Sequence, residues 1–584
     1  MLYTDPDAFI SRAYDYVIIG GGVVGLVIAA RLSEDPNVHV AVLEAGGYST
    51  RDSRTTVPAY FWKTHGDPEF DWLLRTAPQS SVNGRRIPLP RGKTLGGTSV
   101  INTMTWFRGV REDYDALVEL GNPGWGWDDW VPYFCKSETV YPPPDGGWAC
   151  ENAAAIEPGL SGTSGPLKRS FAQWLGDTHV PFLKSLEEVG VKPNPKANTG
   201  YNIGTFTVTT SVDPKTSQRS SSTTAYFEPN AGRRNLHVLT GATVNRTLIR
   251  PDSNGQYRAT DVEFIHSGRP YQVGANKEVI ICAGAYLSPI ILERSGIGCS
   301  KRLRSLGIPD LINLPGVGEN LQDHLLVPTS YELKDKNTIT GDLLRDPEFI
   351  TQELERYQRE GGGMLASIHS AFSMIPLQKF APDHVINKLD TMLQQLERGS
   401  NSGQQKLLKI QRKWLKDPKR GQLEIMHVPE FCTFGASQPA ENGRYVSFLN
   451  VLMQPVSRGS VLKHASSSDP LRAPVIDPRY YHDRFDLEVM IAGLKYTQKL
   501  ANTEPLASMI QGPVDPRPDQ MNEPELEEYA KSLLESAHHP IGSNSMLPRE
   551  DGGVVDYKLK ATLYALGEKA SDMIKEYSYN RSKL

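Results

Sequence analysis

The stretch from 14 to 46 constrains the fold more than any other. Tyr14 to Ile19 is a β-rich apolar run, Gly20-Gly21-Gly22 ends it, and small residues from Val23 to about Ser33 read as a helix. Asp35-Pro36-Asn37 is a turn cluster, and Val38 to Leu43 reads as a second strand running into Glu44. This is a βαβ opening with Gly20-x-Gly22-x-x-Gly25 at its first turn. Gly20 permits the tight turn. Gly22 lets backbone approach a pyrophosphate, and Gly25 lets helix and strand pack closely. The helix N-terminus, opened by Val23 and Val24, faces the phosphate charge. Glu44, nineteen residues after Gly25, is placed to accept hydrogen bonds from ribose hydroxyls. Gly20, Gly22, Val23, Val24, Gly25 and Glu44 are therefore candidate cofactor contacts. They specify a dinucleotide without separating FAD from NAD.

At 584 residues the chain exceeds what one core normally supports, so at least two lobes are expected. Its net charge of −4 lacks the basic excess of an electrostatic nucleic-acid binder. The five cysteines include no CxxC pair, so reduced intracellular thiols are expected, with neither a disulfide framework nor a metal site. No stretch has the length of a membrane span, and Met1 to Arg12 lacks the apolar region of a secretory signal. Ser582-Lys583-Leu584 matches the address read by the peroxisomal import receptor, which predicts a peroxisomal enzyme.

Further motifs separate the cofactors. Arg91-Gly92-Lys93-Thr94-Leu95-Gly96-Gly97-Thr98-Ser99-Val100-Ile101-Asn102, continuing through Trp106 and Arg108-Gly109 to Asp115, resembles the first signature of the glucose-methanol-choline (GMC) oxidoreductases. Gly284 to Pro289, closing with Ser295-Gly296-Ile297-Gly298, resembles the second, and Leu314 to His324 looks like the family's following loop. The resemblance spans nearly the whole chain and implies FAD, with Thr98 and Asn102, Thr103, Met104 and Thr105 near the isoalloxazine. It implies an adenine contact at Val244, which reads equally as a core strand residue. His324 is expected to be structural. No histidine occupies Gly92 to Gly97, where some family members tether FAD, so non-covalent FAD is expected.

Ala537-His538-His539-Pro540-Ile541-Gly542-Ser543 resembles the family's catalytic segment. It implies that His539 is the general base, taking a hydroxyl proton while hydride moves to flavin N5. An imidazole suits the role because its ordinary pKa lies near working pH. After Val554-Val555-Asp556 the family continues with another strand and a second catalytic His or Asn. Here Asp556-Tyr557-Lys558-Leu559 runs into Lys560-Ala561-Thr562, and then into a helix whose apolar stripe is Leu563, Leu566, Ala570, Met573 and Ile574. Strand and second residue are missing from the pattern. A mis-spliced product, a variant of reduced activity and a protein kept for another purpose all fit that gap.

The resemblance implies an α/β fold: a doubly wound Rossmann-like FAD domain (1–46, 85–140, 205–330 and 530–584) and an α+β substrate domain with an antiparallel sheet (47–84, 141–204 and 331–529). The leading expectation is oxidation of a small-molecule alcohol to a carbonyl, with oxygen or another electron acceptor reoxidising the flavin. The alternative is a lyase or cyclase in which FAD is structural, since fold does not fix reaction.

Overall fold

The computed structural model describes the chain except residues 50, 465–468, 470, 557–562 and 582–584. The Ser582-Lys583-Leu584 tripeptide and the junction following Asp556 thus lie outside the described residues.

The expected βαβ opening forms, with Tyr16–Ile19, the Val23–Leu32 helix and Val40–Leu43. These strands belong to a five-stranded sheet in the order Leu2–Tyr3, Leu236–Leu239, Val40–Leu43, Tyr16–Ile19, Glu278–Ile281. Every pairing in it is parallel. The three central strands are buried at every position, which is why they read as unbroken apolar runs. Tyr16, Ile18, Val40 and Val42 face Leu26, Val27 and the tryptophans 125, 127 and 130. Val17, Ile19, Ala41 and Leu43 face Val262, Phe264 and Val273 of a three-stranded antiparallel sheet spanning Ala242–Pro251, Tyr257–His266 and Arg269–Gly274.

The Leu563–Arg581 helix packs on the Val23–Leu32 helix. A Cβ on Gly567 would lie 2.4 Å from Val27 Cβ, so only glycine permits this approach. The fully buried Glu568 accepts from Arg31 Nη2 at 2.7 Å and from the Tyr226 hydroxyl at 3.1 Å, with Lys136 Nζ at 3.2 Å. Leu566, Ala570 and Ile574 are buried, as their spacing predicts. The Glu278–Ile281 strand pairs on one side only among the described residues, and all of its residues are half-buried.

A second, antiparallel sheet runs in the order Ile510–Asp515, Leu325–Leu333, Tyr445–Leu452, Leu423–Val428, Ala371–Ile375, Gly204–Thr207, with Glu535–Ser536 beside Leu325 and Leu326. Its strands Gly204–Thr207 and Leu325–Leu333 straddle the expected domain boundaries at 205 and 330. One face packs on helices including Arg484–Ala501 and Asp383–Gly399. The other carries Phe206, Phe372, Met374, Met426 and Met453 with Phe107. Asn401 caps a helix that begins at Ser402, its Oδ1 accepting from Gln404 N.

Beneath the first signature, Glu138 is fully buried between Arg108 (2.9 Å) and Arg169 (2.5 Å). The Arg169 guanidinium also lies 3.4 Å from the Trp106 ring centroid, which makes Trp106 a core residue. Glu138→Ala would leave two buried guanidiniums without their shared counter-ion. The expected loss is about 3–5 kcal/mol of stability, measured as a lower urea midpoint. A midpoint within error of the parent would refute that role for Glu138.

Candidate functional site

The nucleotide turn is tight at every glycine but one. Gly20 has φ +99°, and a Cβ there would lie 2.6 Å from the Cys282 carbonyl oxygen. A Cβ on Gly25 would lie 2.0 Å from the Gly20 carbonyl oxygen. Gly22 differs: the nearest atom to a Cβ there is Gly97 Cα at 3.9 Å. Gly22 is also the N-cap of the Val23–Leu32 helix, and no side chain caps that end. Gly96 N donates to the Gly21 carbonyl at 2.7 Å, so the second glycine loop lies against the first. Two glycine backbones and an uncapped helix N-terminus thus border one space, with N–H groups available to an anion. This cradle fits the pyrophosphate of FAD.

Glu44 is buried at the end of its strand. Its Oε2 accepts from Gly21 N at 2.9 Å and its Oε1 from Gly46 N at 2.8 Å. Burial pushes its pKa up to about 7 against those hydrogen bonds. The carboxylate braces the turn and keeps further lone pairs for a ribose. Ala242 N donates to the Glu44 carbonyl at 2.8 Å, which brings the strand carrying the half-buried Val244 beside this end.

The first-signature residues gather at the opposite end. Thr98 Oγ1 accepts from Gly92 N at 3.3 Å. Asn102 Oδ1 accepts from Arg219 Nη1 at 2.7 Å and Met104 N at 3.2 Å. Thr103 is half-buried, while Thr105 Oγ1 is buried without a partner. Met104 has φ +58° and its side chain packs with Val212 and Ile368, so its backbone is the part turned to this loop. Arg219 was not among the expected site residues. It is buried, reaches the Ser99 and Asn102 carbonyls and the Thr55 carbonyl, and has no acidic partner among the described residues. Burial presses its pKa down to about 9. A lone arginine before a run of serines and threonines gives no local sign of such a contact.

His539 is placed by two antiparallel segments. Ala537 N donates to the His324 carbonyl at 2.9 Å, and Gln322 and Ile541 exchange two hydrogen bonds of 2.9 Å. Asp323, buried, accepts from Tyr480 OH at 2.7 Å, Ser536 Oγ at 2.5 Å and the backbone N–H of His539 at 2.8 Å. Beside it, His324 Nδ1 lies 3.2 Å from His539 Nδ1, with the rings at 88°. His324, expected to be structural, thus directly contacts the candidate base.

His538 takes φ +62° and is half-buried, while the following residue, His539, is exposed. The His538 carbonyl accepts from Arg91 Nη2 at 3.0 Å, tying the segment to the first signature. Its ring meets His65, whose Nε2 contacts the Ile101 carbonyl at 3.0 Å. His539 itself is open to solvent. The surrounding protein and the Arg91 charge nevertheless hold its pKa down, to about 4. Burial and the neighbouring His539 press His324 to about 4 as well. Both imidazoles are neutral at neutral pH.

The GMC oxidoreductase family models match residues 14–326 and 455–562. The dehydrogenase citC of Monascus ruber is 30% identical, across 97% of this chain and 97% of its own. An FAD-dependent oxidoreductase from Chaetomium thermophilum shares 27% identity over 97% of this chain and 100% of that one, with a TM-score of 0.86. A fungal aryl-alcohol oxidase shares 26% over 97% of this chain and 99% of that one, with a TM-score of 0.82. The chain belongs to the GMC oxidoreductases and is an FAD-dependent oxidoreductase of that family.

Proposed function

We propose that the protein oxidises an alcohol to a carbonyl, with His539 as the general base. The carrying observation is the His539 imidazole itself: neutral, exposed, and held on a segment that Arg91 ties to the glycine-rich signature. Gly20, Gly22, Val23, Val24 and Gly25 would hold the pyrophosphate of FAD, with Glu44 and Val244 at the adenosine end. Thr98, Asn102, Thr103, Thr105 and the Met104 backbone would lie along the isoalloxazine. Bound there, FAD supplies the hydride acceptor at N5. His539 takes the hydroxyl proton, and the Asn102 amide, fixed through its oxygen by Arg219, keeps its N–H groups for the flavin side. Binding is non-covalent, because the glycine-rich segment offers no histidine as a tether. The likeness to an aryl-alcohol oxidase favours an aromatic primary alcohol.

Anaerobic addition of aromatic alcohols to the purified protein should bleach its visible flavin bands. Turnover of a candidate substrate with unbleached flavin would instead establish a non-redox lyase or cyclase.

A second reading rests on the half-buried Glu278–Ile281 strand, whose outer edge is unpaired among the described residues. It fits a chain one strand short of the family pattern, in which FAD is held less tightly and turnover is reduced.

A further inference from the structure

We propose that His324 is a positioning residue that sets the tautomer of His539, keeping the proton on Nδ1 and leaving the Nε2 lone pair for the substrate hydroxyl. The inference rests on the reading of His539 as general base and adds what makes it competent.

Two neutral imidazoles meeting through Nδ1 atoms 3.2 Å apart cannot be alike: one donates, the other accepts. The role read for His539 decides which. Its Nδ1 faces His324, so only Nε2 is turned away from that contact, and a base keeps its lone pair there. His324 Nδ1 is then a lone pair, and the proton in the contact belongs to His539. His539 Nε2, across its ring, is left as the basic nitrogen. The opposite arrangement would place the only lone pair of His539 against His324, out of reach of a substrate.

The surroundings hold this order in place. Asp323 accepts from the His539 backbone N–H, which holds the main chain of His539 beside His324. Arg91 opposes protonation of His539, while Asp323 and Asp113 favour it at His324. His538 faces Arg91, His65 and His539, and burial keeps it neutral. Among the described residues no carboxylate contacts the His539 ring, so the neighbouring histidine carries the orienting role that an acid often fills.

The test uses full-length protein labelled with 15N-histidine. Long-range proton–nitrogen NMR reads the tautomer of each ring, and the two signals are assigned by their loss in His324→Asn and His539→Asn. The expected result is Nδ1–H at His539 and Nε2–H at His324, with or without bound flavin. His324→Asn retains an acceptor near the Nδ1 position and should keep the His539 tautomer and most of kcat. His324→Leu should turn His539 to a tautomer mixture and lower kcat about 10- to 100-fold, with little change in KM. Nε2–H at His539 in the parent protein would overturn the proposal. So would His324→Leu with unchanged tautomer and kcat. If His539→Asn keeps full turnover, the base assignment fails, while the NMR result on the pair still stands or falls by itself.

Discussion

His539→Ala should lower kcat/KM for an alcohol by about 10²–10⁴-fold while the protein stays folded and yellow. The magnitude is that of losing a positioned proton acceptor. The ring is exposed, and among the described residues its one polar side-chain contact is His324 Nδ1, so its removal creates little buried void. The Asp323 bond uses the backbone N–H and survives the substitution. The pH profile gives the sign. A base must be unprotonated, and its pKa is pressed from the ordinary 6.5 down to about 4. The parent kcat/KM should therefore stay level as pH falls through 6.5 and decline only near 4. The variant's residual rate should lack that limb. A variant keeping more than about a tenth of the parent rate would exclude His539 as the base; a parent profile that breaks near 6.5 would instead show a ring with an ordinary imidazole pKa.

Gly22→Asp should give folded protein that binds no flavin. Gly22 has φ −81° and ψ −163°, an extended conformation open to any residue, and a Cβ there meets nothing closer than 3.9 Å. An aspartate at this N-cap would even satisfy a free helix N–H. Its carboxylate would then occupy the pyrophosphate cradle. Two like charges about 4 Å apart at an effective dielectric of ~20 repel by about 4 kcal/mol, or about 10³-fold in Kd. Gly25→Ala is the contrasting variant: its Cβ would lie 2.0 Å from the Gly20 carbonyl oxygen, so the helix must move and the fold itself suffers. Thermal melting with flavin absorbance separates the two. A flavin-loaded Gly22→Asp protein would mean that the pyrophosphate lies elsewhere.

What the sequence revealed and what it hid divide along contact range. The strand–glycine–helix–strand unit is local, and its geometry follows from residues within about one supersecondary unit. The stripe of Leu566, Ala570 and Ile574 is legible for the same reason. His539 was found because its segment carries a recognisable motif. His324 was taken for a loop residue because its partner lies 215 positions away, and no period or spacing announces such a meeting. Arg219 was hidden in the same way, being 117 residues from Asn102. Asp323 lay inside a recognised loop, yet its grip on the His539 backbone depends on a ladder between segments near 322 and 541.

The packing of the Leu563–Arg581 helix on the Val23–Leu32 helix also fixes when this protein can be finished. The ribosome adds roughly 5–20 residues per second, so the nucleotide helix waits about half a minute to two minutes for its companion. Until then Val27 and its neighbours have no cover on that side, and Arg31 has no Glu568. The cofactor domain therefore closes only once the Leu563–Arg581 helix has been made, and the surface that will lie behind the flavin cradle stays uncovered until then.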